Sequence, residues 1–113
     1  MAKFLISFPS AAMQVAPEDL PAVSDAAHAV VRAAKAAGVY VFGGGIDEAV
    51  APVTVSPDGQ VLAQTYAQTR ELNGGFMVLE LPSREAALHW AARTAAACRC
   101  AQELREFMFD PES

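Results

Sequence analysis

The spacing of apolar residues in this chain switches twice from strand period to helix period and back, and few folds can satisfy that order. Phe4, Ile6 and Phe8 alternate with Leu5 and Ser7, the pattern of a strand with one face turned to a core. After a loop from Pro9 to Asp19, Leu20, Val23, Ala27, Val30, Val31 and Ala34 recur at helical spacing. Pro17-Glu18-Asp19 places acid where the positive end of the helix dipole favours it, and Gly38 stops the helix just after Lys35. Val39-Tyr40-Val41-Phe42 is β-branched and aromatic and too short for a helix. It is predicted as a second strand, ended by Gly43-Gly44-Gly45.

The second round runs the same way. Phe76, Val78 and Glu80 alternate with Met77, Leu79 and Leu81. Pro82-Ser83 then opens a helix through Leu88, Ala91, Ala92 and Ala95, with Ser83 as its N-cap. Between the rounds, Val53-Thr54-Val55 and Val61-Leu62 flank Asp58-Gly59, a strong hairpin signal. The tail from Ala101 to Phe109 has two readings: Gln102 to Phe107 would continue a helix, whereas Phe107-Met108-Phe109 favours a closing strand. Strand, helix, strand, hairpin, strand, helix, strand is the α+β, ferredoxin-like split βαβ order. An antiparallel sheet with two helices on one face is expected, and at 113 residues the chain reads as a single domain over 1–113.

Composition narrows the partners. The net charge of −5 predicts no basic surface, so neither nucleic acid nor membrane is expected as a partner. No apolar run reaches the length of a membrane span, and MAKFLISF enters a strand without an h-region, so a cytoplasmic protein is expected. Hydrophobic residues make up 53%, with much alanine, so the core is thin and a homodimer that buries another sheet face would help it. Cys98 and Cys100 share a Cys-Arg-Cys with no second pair or nearby His to complete a zinc site. Two ordinary reduced thiols are the plainer reading, redox or metal chemistry the other. No metal or cofactor is expected, since nucleotide and zinc motifs are absent. Gly43-Gly44-Gly45 lacks the lysine of a phosphate loop and precedes Asp47-Glu48, whose charge would repel phosphate.

One block carries a family resemblance. GGGI, VTVSPDGQV, AQTYAQTRELNGGFMVLEL, EAALHWAAR and QELRE, in that order, resemble the YCII-related family in its DGPF branch. Thr69, Glu71, Leu72, Gly75 and Phe76 match, as do Trp90-Ala91-Ala92, Glu103 and Arg105, while Arg70 stands where lysine is usual. Ala63-Gln64-Thr65-Tyr66 replaces the signature Asp-Gly-Pro-Phe, keeping an aromatic only at the last place. The resemblance implies a dimeric α/β-barrel assembly of ferredoxin-like chains with a cleft between sheet and helices. It also brings a relative that dehydrochlorinates a hydroxylated aromatic and a His–Asp pair proposed as catalytic in the short YCII branch. Gly74-Gly75 lets the backbone turn sharply out of the polar loop into the strand, and the loop is expected to cover the cleft or reach a second subunit.

His28 lies roughly 110° from the centre of the first helix's apolar stripe, at its border. It is either a solvated flank residue or a general base, with Asp47 or Glu48 as the carboxylate that would orient it. Arg70 and Arg105 read either as surface ion pairs with Glu71 and Glu103 or as anion holders in the cleft. Trp90 is roughly 160° round the helix from Leu88, so both cannot face one core. With Leu88 inside, Trp90 is assigned to a pocket wall or subunit contact, joined by Tyr66 from the loop, and His89 reads as exposed. The functional expectation is a small dimeric protein binding a small anionic or aromatic molecule. The alternatives are a lyase or isomerase using His28, or an interaction module in transcriptional regulation.

Overall fold

The computed structural model describes residues 1–113. Strand β1 (Ala2–Phe8) leads through two single 3₁₀ turns to helix α1 (Leu20–Ala36) and strand β2 (Tyr40–Gly45). A hairpin of β3 (Thr54–Val55) and β4 (Val61–Leu62) and one more 3₁₀ turn, Ala67–Thr69, precede β5 (Gly75–Leu81). Helix α2 (Arg84–Cys98) and strand β6 (Glu103–Glu106) complete the fold. The sheet order is β2-β5-β1-β6 with every neighbouring pair antiparallel, the ferredoxin-like arrangement, so β1–α1–β2 and β5–α2–β6 are interlocked crossovers.

Both helices cover one face. In the register Phe4↔Leu79 and Ile6↔Met77, alternate side chains of β1 and β5 point toward the helices, and these residues with Leu81 are buried. Val30 and Ala34 from α1 and Ala87, Trp90 and Ala91 from α2 close the core. The small residues let the helices sit close to the sheet. Ser83 Oγ accepts from Ala86 N at 3.1 Å, as an N-cap should. Asp19 and Arg99 form an exposed 3.5 Å ion pair that places the start of α1 beside the end of α2.

Three expectations shift. The three glycines do not end β2; they lie inside it, with Gly43, Gly44 and Gly45 paired to Met77, Phe76 and Gly75. Backbone pairing to β5 holds them there, and a strand hydrogen-bonds through its backbone whatever its side chains. The closing strand is Glu103–Glu106, and Phe107 to Phe109 lie beyond it and exposed. Pairing to β1 decides this, since Ile6↔Leu104 puts Leu104 over the core, which the apolar tail cannot offset. On α2 it is Trp90 that is buried, at 9% exposure, while Leu88 is 51% exposed. Burying the larger ring removes more apolar area from water. The polar loop borders the bare face of the sheet, where Gln68, Glu71 and Leu72 stand beside Leu5, Ser7 and Phe76.

Candidate functional site

A cleft opens between the sheet and the helices at the end where β1 finishes and β5 begins. Its volume is about 390 Å³. Its floor is Gly43 to Gly45 with Gly75 and Met77, and Ala27, His28 and Val31 of α1 form one wall. Thr94 and Cys98, one turn apart on α2, and Gln102 form the other. The lining is mainly apolar with a few polar groups, the usual make-up of a small-molecule site.

Glycine creates this space. A β-carbon on Gly75 would stand 2.7 Å from Cε1 of Phe8, so the Phe8 ring packs directly against that backbone. At Gly43 it would come within 2.9 Å of the Tyr40 hydroxyl, which rests there in the same way. Both side chains also line the cleft.

The polar groups already have partners where they are buried. Thr94 Oγ1 donates to the Trp90 carbonyl at 2.9 Å, and Gln102 Nε2 reaches the Cys100 carbonyl at 3.3 Å and Cys100 Sγ at 3.6 Å. No buried side-chain nitrogen or oxygen is left without a partner. Cys98 is a free thiol, and burial, then the nearby Cys100, raise it above its ordinary range. Cys100 is raised mainly by burial, with the Gln102 amide pulling the other way. Both thiols are thereby held in their neutral, unreactive form.

His28 lines this cleft from its rim, as an exposed residue. Asp47 is elsewhere: its Oδ1 accepts from Ala49 N at 3.0 Å in the loop after β2, and it is not among the lining residues. Glu48 accepts from the Ser10 hydroxyl. Tyr66 and Arg70 line a separate hollow beneath the hairpin, with Val53, Val55 and Leu72. Arg105 stands on the bare side of the sheet, 3.1 Å from Glu103. Trp90 is in the core, with the Arg93 guanidinium 4.6 Å from its ring centre and His89 edge-on to it. The expected site residues thus fall into five places, and only His28 borders the sheet–helix cleft. Tyr40, Thr94 and Gln102 were missed. The spacing of Thr94 and Cys98 signals a shared face, but on a helix of alanines it gives no reason to prefer that face.

No three His, Cys, Asp or Glu side chains are grouped to hold a metal ion, and no helix is long and apolar enough to cross a membrane. A YCII-related domain matches residues 5–107, from the second half of β1 to just past β6. The chain belongs to the YCII-related family. No curated protein matches it. The matched span includes every element of the ferredoxin-like sheet and both helices, so the cleft of this YCII-related chain is built wholly from family residues.

Proposed function

We propose that this YCII-related protein is a cytoplasmic homodimer that binds a small aromatic or anionic molecule in the sheet–helix cleft. The observation that carries the reading is the glycine-floored hollow of about 390 Å³, bordered by the His28 imidazole. That volume is near the lower end of the roughly 300–1,000 Å³ range of small-molecule sites, which favours a single ring over a nucleotide. The flat floor and the rings of Phe8 and Tyr40 offer faces for an aromatic ligand to pack on. His28 can donate to or accept from a phenolate or carboxylate at the rim.

A second reading, proton transfer of the lyase or isomerase type, rests on the same imidazole facing the same hollow. In that reading Asp47 would have to leave Ala49 to orient His28. A thermal-shift and calorimetric screen of phenols and aromatic carboxylates separates these readings. Binding is expected to be lost in Ala27→Phe, which fills the cleft, weakened in His28→Ala and kept in Arg70→Ala. A ligand retained by Ala27→Phe but lost by Arg70→Ala would move the site beneath the hairpin. Turnover abolished by His28→Ala, with binding intact, would favour the enzyme. Absence of any shift across the screen would end both.

A further inference from the structure

The acids of this chain stay out of the sheet–helix cleft. The chain carries thirteen Asp and Glu against eight Lys and Arg, yet none of the thirteen lines the hollow. Its titratable lining residues are His28, Tyr40 and Cys98, and the Lys35 ammonium lies 5.2 Å from the centre of the Tyr40 ring. Lys35 takes no part in the three ion pairs of the chain, so no carboxylate neutralises it at contact distance. In a chain of net charge −5 this leaves one hollow where a single negative charge meets no carboxylate on the walls.

The polar groups of the cleft differ in what they are free to do. Thr94 Oγ1 is engaged with the Trp90 carbonyl, and the Gln102 amide with Cys100. The Tyr40 hydroxyl makes no hydrogen bond within the chain, and it reaches solvent, since no buried side-chain oxygen lacks a partner. Glycine sets its place. At Gly43, three residues further along β2, a β-carbon would stand 2.9 Å from that oxygen, so a larger residue would push the phenol off the floor. From the last turn of α1, the Lys35 ammonium holds the ring by a cation–π contact.

We propose that Tyr40 selects the ligand of this cleft and that the ligand is an aromatic monocarboxylate of one ring, an inference that rests on the cleft-binding reading above. The ring packs on the apolar lining, and a carboxylate oxygen accepts from the Tyr40 hydroxyl. The His28 imidazole borders the same hollow for the second oxygen. A carboxylate suits these groups better than a phenol does. It is ionised at neutral pH and offers acceptor sites on two oxygens. A phenol keeps its proton at that pH, and its neutral oxygen is the weaker acceptor. A dicarboxylate or a phosphate ester would bring more charge than one phenol and one imidazole can meet.

Amide NMR titrations of the full chain with benzoate and with toluene test the anchor separately from the cleft. Toluene keeps the ring and lacks the acceptor. Benzoate is expected to shift the amides of Gly43 to Gly45 and to bind at least about tenfold more tightly than toluene, as a hydrogen bond to a charged group should. Tyr40→Phe keeps the ring and removes a hydroxyl that has no partner in the chain. It should weaken benzoate about tenfold and leave toluene within about twofold of wild type. Equal weakening of both ligands would mean a merely structural role and overturn the anchor. If Tyr40→Phe holds benzoate as wild type does, while Ala27→Phe excludes it, the anchor is wrong and the cleft reading stands. Toluene bound as tightly as benzoate would overturn the carboxylate class and likewise spare the cleft. Shifts at Gly43 to Gly45 from neither ligand overturn both. Gly43→Ala gives a second variant, in which the hydroxyl is kept but displaced. Benzoate should again lose more than toluene, and equal losses there would overturn the placement of the hydroxyl.

Discussion

The two faces of the main sheet are made from the same strands and differ only in what lies over them. On the helix side Phe4, Ile6, Leu79 and Leu81 have almost no exposed surface. One residue along, on the other side, Leu5 and Val78 remain half-buried. The backbone pairing and strand propensity are shared, so the contrast isolates packing from intrinsic preference. The covered face, where its cover thins over Gly43 and Gly75, opens into the hollow of about 390 Å³, while no element of the chain lies over the other face.

The largest expected effect tests the covered side. Leu79→Ala removes a side chain with no exposed area at the centre of the core, and should cost about 2–5 kcal/mol by urea unfolding. The helices that cover it are part of the same chain, so this loss should not depend on protein concentration. Val78→Ala, its neighbour on the bare side, should cost about 1 kcal/mol or less in dilute protein. Its cost should rise as the chain associates. Equal losses for the two variants at every concentration would show that the faces are not different after all.

Next comes the turn that joins the β2–β5 loop to β5. Gly74 has φ of +81°, and a β-carbon there would stand 2.1 Å from the Phe8 carbonyl oxygen. Gly59, at the hairpin tip, has φ of +88° but open space around it. Gly59→Ala should therefore cost only the left-handed strain, about 1–2 kcal/mol. Gly74→Ala adds a backbone clash and should cost clearly more, since Phe8 and Ser10 must move with it. Melting temperatures of the two variants give the comparison directly.

These two glycines show how much of the molecule was legible. The hairpin around Asp58-Gly59 and the turn at Gly74-Gly75 were both visible, because left-handed backbone is a local property with a local signature. The same is true of the Ser83 cap and of the alternation in β1 and β5, and the order of elements then fixed the sheet topology. What was not legible depends on neighbours distant in sequence. Gly43 to Gly45 looked like a strand end, because nothing local shows that Gly75 to Met77, thirty residues on, will pair with them. Leu88 and Trp90 compete for one core, and the choice is made by the sheet beneath them. His28 was correctly placed on the border of its helix. That Arg70, Tyr66 and Arg105 lie away from it follows from the course of the β2–β5 loop and the facing of β6, neither of which has a motif.

Smaller effects sharpen the helix side. Ser83→Ala removes the side-chain acceptor for Ala86 N and should cost about 1 kcal/mol, read as a lower urea midpoint with an unchanged slope. The thiols add a pH dependence. Cys98 and Cys100 are raised in the folded chain above their ordinary 9.0, so the unfolded chain loses these protons first. Their contribution is complete below pH 9.0 and declines as pH climbs through the folded values. Unfolding followed from pH 8 to 11 should show that decline, and it should be reduced in Cys98→Ala. Stability that climbed over this range would contradict the burial of the thiols.

The smallest effect falls on the bare face and is the more informative for it. Arg105 and Glu103 are two residues apart on β6, and their side chains are 58% and 61% exposed. An ion pair so open to water contributes about 0–1 kcal/mol, because solvent screens it and two long side chains must be held still. Arg105→Gln should accordingly be close to neutral in dilute protein, with a melting temperature within about a degree or two of wild type. In a two-fold assembly of these faces the same guanidinium meets a second carboxylate and is partly removed from water, where charge pairing is stronger. The substitution should then weaken association and make it less sensitive to salt. A neutral result at all concentrations would leave the bare face as solvated surface; a loss confined to concentrated protein would mark it as the place where two chains meet.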